Sequence, residues 1–501
     1  MVIKKLGIIL TGMLMLIGYV SSAQSYAESA LLFSQSQSGG SSRIQAIGGA
    51  QIALGGDYSS VLSNPAGLGM YNRSELTFTP GYAGYSTTAN FLGNSTKESS
   101  SKLNIPGLSF VLHLPRENND FYGGAFGVSM TRTNDFNGSF SYSGVNDATS
   151  IVDHFLETAN GDTPDQFDTY QFNTPTGLAY DTYLIGPLSI LDPDLPDDEY
   201  FTDAPIESLQ TENMTSEGTT YQWSFSYGGN YKDILFFGGG LGLSTLRYES
   251  QKFFSEDYVD FDTLRSILLE ENLEIRGSGI NATFGVIVRP VSFLQIGLSF
   301  VSPTYYQITE TYDARLDAHW NDYDYDDGSQ LINLNDEYAL TDIVTSEYTM
   351  TTPLKLSAGM AFISKHGFIS ADIEMMNPAK AKYSSETDAS FYRSQNDVIQ
   401  NSFKKVYNYR IGGEFRHNIW RIRGGYSVMG NPYAQDDYDY KNVSISGGAG
   451  LRFEKFYIDL AIVSKKVDSN YSPYTLSDNS QPVVKLQNKT LTSMITLGFT
   501  F

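Results

Sequence analysis

The sequence predicts an all-β fold, a transmembrane antiparallel β-barrel of about 14 strands with an N-terminal, partly helical plug in its lumen. Three observations carry this. Segments with a two-residue apolar period recur along nearly the whole chain, which is the pattern of a strand with one apolar and one polar wall. The connections between them alternate short and long, as turns on one side of a membrane and loops on the other would. Beyond the N-terminus, no stretch approaches the roughly 18 continuous apolar residues that a spanning helix requires. A chain of this kind crosses lipid only as a closed barrel, because hydrocarbon leaves backbone groups no other partners.

The first element is an export signal. Lys4 and Lys5 form its charged part, Leu6 to Val20 its apolar part, and Ser21-Ser22-Ala23 its small-residue cleavage site before Gln24. Residues 1–23 are therefore set aside from the fold. The chain has no cysteine to lipidate, to pair in disulfides or to bind metal as thiolate. Net charge is −23, two units more negative without Lys4 and Lys5, so phosphate repulsion argues against nucleic-acid binding. Mean hydropathy is −0.25. Aromatics reach 14%, with 35 Tyr and 30 Phe, a share that suits strands with interfacial aromatic girdles.

The strands follow in order. Leu108, Phe110, Leu112 and Leu114 share a face, as do Tyr122, Phe126, Val128 and Met130. In 220–227, Tyr221, Trp223, Phe225 and Tyr227 face one way and Gln222, Ser224 and Ser226 the other. The alternation returns at 235–243, 280–288, 294–300, 369–373, 407–411, 443–453 and 458–462. It closes with 491–501, where Leu491, Ile495, Leu497, Phe499 and Phe501 share a face. Short links fall at 115–120, 230–233, 289–292, 364–367, 416–418 and 454–455. Long links fall near 87–102, 144–217, 250–269, 314–337, 381–404, 430–441 and 467–485. Both ends of the barrel then lie on the short-turn, periplasmic side.

The long links are acidic and rich in Tyr, as in 192–200, 321–328 and 436–440. Asp322, Asp324 and Asp326 have the spacing of a calcium loop, but its closing glutamate falls out of register, and a hydrated outer surface accounts for them. Within 144–217 two helix-like stretches carry Phe155, Leu156, Leu178, Tyr180, Tyr183 and Leu184, an apolar foothold for ligand entry at the mouth. The inward faces hold mixed charge. Arg410, Arg421 and Arg423 are placed either to pair with a ligand carboxylate or to brace the lumen through ion pairs.

Residues 24–73 precede the first strand and suit a plug, with 74–501 forming the barrel. In 62-LSNPAGLG-69, Asn64 can bond its own backbone and Pro65 fixes φ, so Asn64-Pro65-Ala66 is a compact turn. This motif, the small-residue segment before it and the strands after it resemble the FadL-like outer-membrane transporters, channels for long-chain fatty acids and aromatic hydrocarbons. The resemblance implies that 24–73 form an N-terminal hatch with Asn64, Pro65, Ala66 and Gly67 at its gate. It also implies a kinked third strand that opens the wall sideways; the alternation falters at Asn134, Asp135, Asn137 and Gly138, which suit either such a kink or a strand that has reached the polar outer interface. The long 144–217 insertion and the acidic loops depart from the better-known members. A terminal aromatic at Phe501, after an export signal, likewise resembles the assembly signal of Gram-negative outer-membrane barrels.

The expectation is a non-enzymatic, cofactor-free channel in the outer membrane for passive uptake of hydrophobic compounds, foremost long-chain fatty acids. Its partners are outer-membrane lipid and lipopolysaccharide, the barrel-assembly machinery at Phe501 and a hydrophobic small molecule, with no nucleic acid and a monomeric state. A haemin receptor is the alternative, with His154 and His319 in the outer loops as candidates. A surface adhesion or structural barrel is the third reading. A hydrolase is disfavoured because no histidine sits mid-strand on an inward face.

Overall fold

The computed structural model describes residues 26–35, 39–115, 120–166, 173–258, 263–326, 331–435 and 440–501. The export signal and its cleavage site lie outside the described residues. The barrel has 14 antiparallel strands. They are β1 Glu75–Phe91, β2 Asn94–Pro115, β3 in two pieces (Phe121–Asp135 and Gly138–Asn146), β4 Ser208–Tyr231, β5 Leu235–Tyr258 and β6 Leu264–Val291. Next come β7 (Leu294–Val301 and Tyr305–Asp326), β8 (Val344–Thr351 and Lys355–Ser364), β9 Gly367–Met376, β10 Val406–His417 and β11 Trp420–Met429. Then follow β12 Lys441–Arg452, β13 Phe456–Tyr471 and β14 Val484–Thr500. Each strand pairs with its neighbours in sequence, and β1 closes on β14 from Glu75↔Thr500 to Asn90↔Lys485. Reciprocal backbone bonds between Ser74 and Phe501, 3.1 and 3.0 Å, finish the seam. The end where β1 begins and β14 finishes is called the inner end below.

Period-two side chains explain why the sheet sits in lipid. Phe110, Phe225, Leu241, Phe284, Ile296 and Ile462 all point outward and are exposed, while Ser109, Ser224, Ser226, Thr283 and Ser299 point in and are buried. A continuous apolar band of this kind far exceeds what soluble monomers leave exposed.

The lengths depart from the expected loops. β5 has 24 residues and β6 has 28, well above the roughly 9–11 that cross a bilayer. The expected long links at 87–102, 250–269 and 314–337 are largely strand: β1 and β2 meet across Leu92-Gly93, both at positive φ. Above the lipid the apolar side chains of the tallest strands change to the inward face, as at Ile267, Leu269, Leu316 and Ala318, so the outward apolar period ends while backbone pairing continues.

At the outer end a helix α4 (Ile151–Ala159) and a helix α5 (Pro175–Asp181) pack onto the tall ends of β5, β6 and β7. Their cluster reaches across to Tyr474 and Leu476 beyond β13, so it bridges the mouth. Three short helices precede the barrel: α1 (Tyr26–Ser34), α2 (Ser42–Ala46) and α3 (Ser60–Ser63), followed by a 3₁₀ turn Pro65–Met70. They lie inside the lumen. α1 stands in the outer half against a helix α6 (Ala389–Ser402), and the rest fills the inner half.

Candidate functional site

The N-terminal segment is seated by glycines of the inner wall. Asn64 is fully buried; its Nδ2 donates to Ile52 O at 2.7 Å and Leu298 O at 3.3 Å, and its Oδ1 accepts from Ala66 N at 3.2 Å. A Cβ on Gly285 would collide with the Asn64 side-chain oxygen, and one on Gly238 or Gly228 with the Pro65 backbone. Glycine is required there because the turn lies directly on the strands. Further round the same wall Asp372 Oδ2 accepts from Gln51 N and Ile52 N at 2.6 and 2.9 Å. Pro65, Ala66 and Gly67 are buried in the turn that Asn64 caps.

Below this seat the inner end is braced by ions. Arg423, whose side chain is 0% exposed, bonds Glu414 Oε2 through Nε and Asp459 Oδ1 through Nη1, both at 2.7 Å. Arg416 and Arg452 complete the two carboxylates, each at 2.7 Å, and Arg43 of α2 approaches Glu414 at 3.6 Å. Arg410 pairs with Glu374 at 3.1 Å. Arg421 instead donates to Asn418 O and Trp420 O, 2.7 and 2.8 Å away in its own turn. Of the three arginines marked in the sequence, Arg423 and Arg410 are thus held by carboxylates of the protein, and Arg421 sits at the inner rim.

The third strand is interrupted where the alternation faltered. Its ladder with β2 stops at Gly107↔Thr131, so residues above Thr131 pair only with β4. Between β2 and β3 the wall is open there until side-chain bonds resume higher up, from Asn94 Nδ2 to Ser143 O at 2.9 Å and between Thr96 and Ser141. Asn134 Nδ2 reaches inward to Leu32 O at 3.1 Å and Gln35 O at 2.5 Å, capping the end of α1. Asp135 holds Arg132 at 3.0 Å and accepts from Tyr85 Oη at 2.6 Å and Asn137 N at 3.2 Å. Gly138 begins the second piece opposite Ser216.

A cavity of about 350 Å³ lies between the N-terminal segment and this interruption. Its lining mixes Leu32, Val463 and Met494 with Asn134, Asn408 and Asn442, and it touches Pro106 and Asn137 at the gap. Arg132, Arg410 and Lys465 put positive charge on it. Lys465, within electrostatic reach of Asp135, makes no hydrogen bond or ion pair among the described residues. The sequence reading missed it. The signal was there: Ile458, Leu460 and Ile462 face lipid, so the same period sends Lys465 inward.

The loop residues marked as an entry foothold are placed differently. Phe155, Leu178 and Leu184 are 0% exposed, and Leu156, Tyr180 and Tyr183 pack against the same cluster. Two short amphipathic helices bury their apolar stripes on each other and on the strands, so these side chains make the core of a cap and offer no open foothold. His154 Nδ1 lies 2.8 Å from Thr475 O, and burial pushes its pKa down. His319 bonds Asp336 at 2.8 Å on the far side of the cap. The two histidines therefore do not converge on one site.

A closed 14-stranded transmembrane barrel with its N-terminal segment packed in the lumen and its third strand broken is the fold of the FadL-like channels. Solved structures make the likeness concrete. A FadL homologue of Pseudomonas aeruginosa aligns over 92% of this chain and 98% of its own, with a TM-score of 0.54 at 12% identity. The toluene transporter TodX of P. putida aligns over 93% and 99%, with a TM-score of 0.51 at 12% identity. No protein-family model matches the chain, and no curated protein matches it in sequence.

Proposed function

We propose that this barrel is an outer-membrane channel for passive uptake of hydrophobic compounds, and that its cargo is an amphipathic carboxylate such as a long-chain fatty acid. The observation that carries the reading is the cavity between the N-terminal segment and the gap in β3, with Lys465 in its wall making no ion pair among the described residues. An apolar tail finds Leu32, Val463 and Met494, and an anionic head finds an ammonium group in a low-dielectric site, where such a pair is strong. Residues 24–73 then act as the hatch with Asn64, Pro65, Ala66 and Gly67 at its pivot, and Asn134, Asp135, Asn137 and Gly138 frame a lateral exit. The chain works as a monomer without energy input or catalysis, after export with cleavage near Ala23 and assembly through Phe501, in contact with outer-membrane lipid and lipopolysaccharide. Neutral aromatics of the toluene type are the second reading, drawn from the transport named for TodX.

The test is uptake of labelled oleate and labelled toluene by Gram-negative cells lacking their own transporter, at matched surface levels. Lys465→Met is expected to lower oleate uptake about tenfold, the size of one charge-assisted bond of about 1.4 kcal/mol, and to leave toluene unchanged. Asn64→Ala with Pro65→Ala is expected to alter both. Toluene uptake without oleate uptake rejects the carboxylate cargo.

A further inference from the structure

The wall has a second interruption, five strands further round from the first. β7 breaks at Ser302-Pro303-Thr304 and β8 at Thr352-Pro353-Leu354. The breaks lie side by side, between the pairs Val301↔Lys355 and Tyr305↔Thr351. Neither proline can donate to the ladder. What joins the strands there is a bond from Thr304 N to Thr352 Oγ1 at 2.9 Å and one from Thr352 N to Thr304 O at 3.0 Å.

Space lies on both sides of this breach. Inside, a smaller cavity of about 120 Å³ borders Val301, Ser302, Thr352 and Pro353, and shares Asn134 and Arg410 with the main cavity. Outside, at the level of the lipid belt, a groove of about 640 Å³ runs over β5 to β10. Its walls are large, with Phe237, Phe284, Phe300, Leu356, Met375 and Tyr407, while its floor is small, with Ala358, Ser299 and Ser357. Ser357 borders the inner cavity and the outer groove alike, so one strand separates them. The groove has the size of a small-molecule site, and its lining is complementary to a hydrocarbon chain.

We propose that this groove binds the alkyl chain of the cargo, which reaches it from the lumen through the double-proline breach, a second lateral portal. The inference rests on the amphipathic cargo proposed above. It commits to chains arriving from inside, because the groove abuts a lumenal cavity where two adjacent strands both lose a ladder donor.

The test uses palmitate carrying a diazirine near its methyl end, added to the outer face of the barrel in lipid vesicles, with crosslinked residues located by mass spectrometry. The chain contains no cysteine, so Val301→Cys with Lys355→Cys forms a defined staple across the breach. Two labelled regions are expected, the main cavity and the groove. Groove labelling should fall at least tenfold in Ala358→Trp, which fills the floor from the lipid side, and in the oxidised staple, and should return on reduction. Main-cavity labelling should persist in both variants. Groove labelling that survives the oxidised staple overturns the proposal, since the chain then comes from the bilayer. So does equal labelling by a phosphatidylethanolamine with the same diazirine chain. Labelling of the main cavity alone overturns this inference and leaves the proposed cargo standing; labelling of neither site rejects both.

Discussion

Arg423 has no exposed side-chain surface and two carboxylates, Glu414 and Asp459, both at 2.7 Å. Its value lies less in net stability than in what its loss would leave behind, since breaking a buried pair strands uncompensated charge. Arg423→Met should therefore lower stability by about 3–5 kcal/mol, read from denaturant unfolding in detergent micelles, whereas Arg421→Met at the rim should cost under about 1 kcal/mol. Residues of this kind were partly legible in the sequence. The Asn64 turn announced itself, because asparagine before proline makes its own local bonds. The inward arginines could be placed on a face but not given partners: Glu414 lies nine positions from Arg423 and Asp459 thirty-six. Lys465 is told apart from its neighbour Lys466 only by strand phase, which sends the first into the lumen.

The broken third strand and the N-terminal helix α1 form one mechanical unit through Asn134. Two bonds join its amide to the end of α1, and Phe136 packs on Phe33 with ring centroids 5.6 Å apart. Asn134→Ala removes both bonds, at about 1 kcal/mol each. Hydrogen exchange in α1 should accelerate by about tenfold or more while that of β10 stays unchanged. The cap makes a separate prediction about pH. Burial lowers the pKa of His154, with Glu157, Glu271 and Lys252 around it. The opened cap binds the extra proton more readily, so closure is favoured above the ordinary histidine pKa of about 6.5 and is lost as pH falls through the lower, buried value. Protection factors across α4, corrected for the intrinsic pH dependence of exchange, should fall as pH drops below about 6.5, and His154→Gln should flatten that profile. Strand type and count were readable because lipid imposes a period of two. Strand length was not, because above the lipid the apolar residues move to the inward face, as at Ile267, Leu269 and Leu316, and the outward rhythm that marks a lipid-facing strand ends. The cap helices were visible as apolar stretches, but a stripe of Phe155, Leu178 and Leu184 reads the same whether it meets a ligand or another helix.

At the scale of the molecule, the three tryptophans report where the membrane lies. Trp223 and Trp420 are 41% and 54% exposed on the outward face, and Trp320 is 0% exposed in the cap, its Nε1 donating to Thr182 O at 3.1 Å. Chain-brominated lipids should quench the first two in single-tryptophan variants and leave Trp320 unaffected. Quenching of Trp320 would place the cap in the bilayer and contradict the assignment of the tall strand ends to water. The closed cap has a consequence for the cell that carries it. The described lumen is stopped above by packed side chains from Phe155 to Leu476 and below by Arg423 and its carboxylates. Ions and small hydrophilic drugs meet a cylinder stoppered at both ends, so abundance of this protein would not make the envelope leaky.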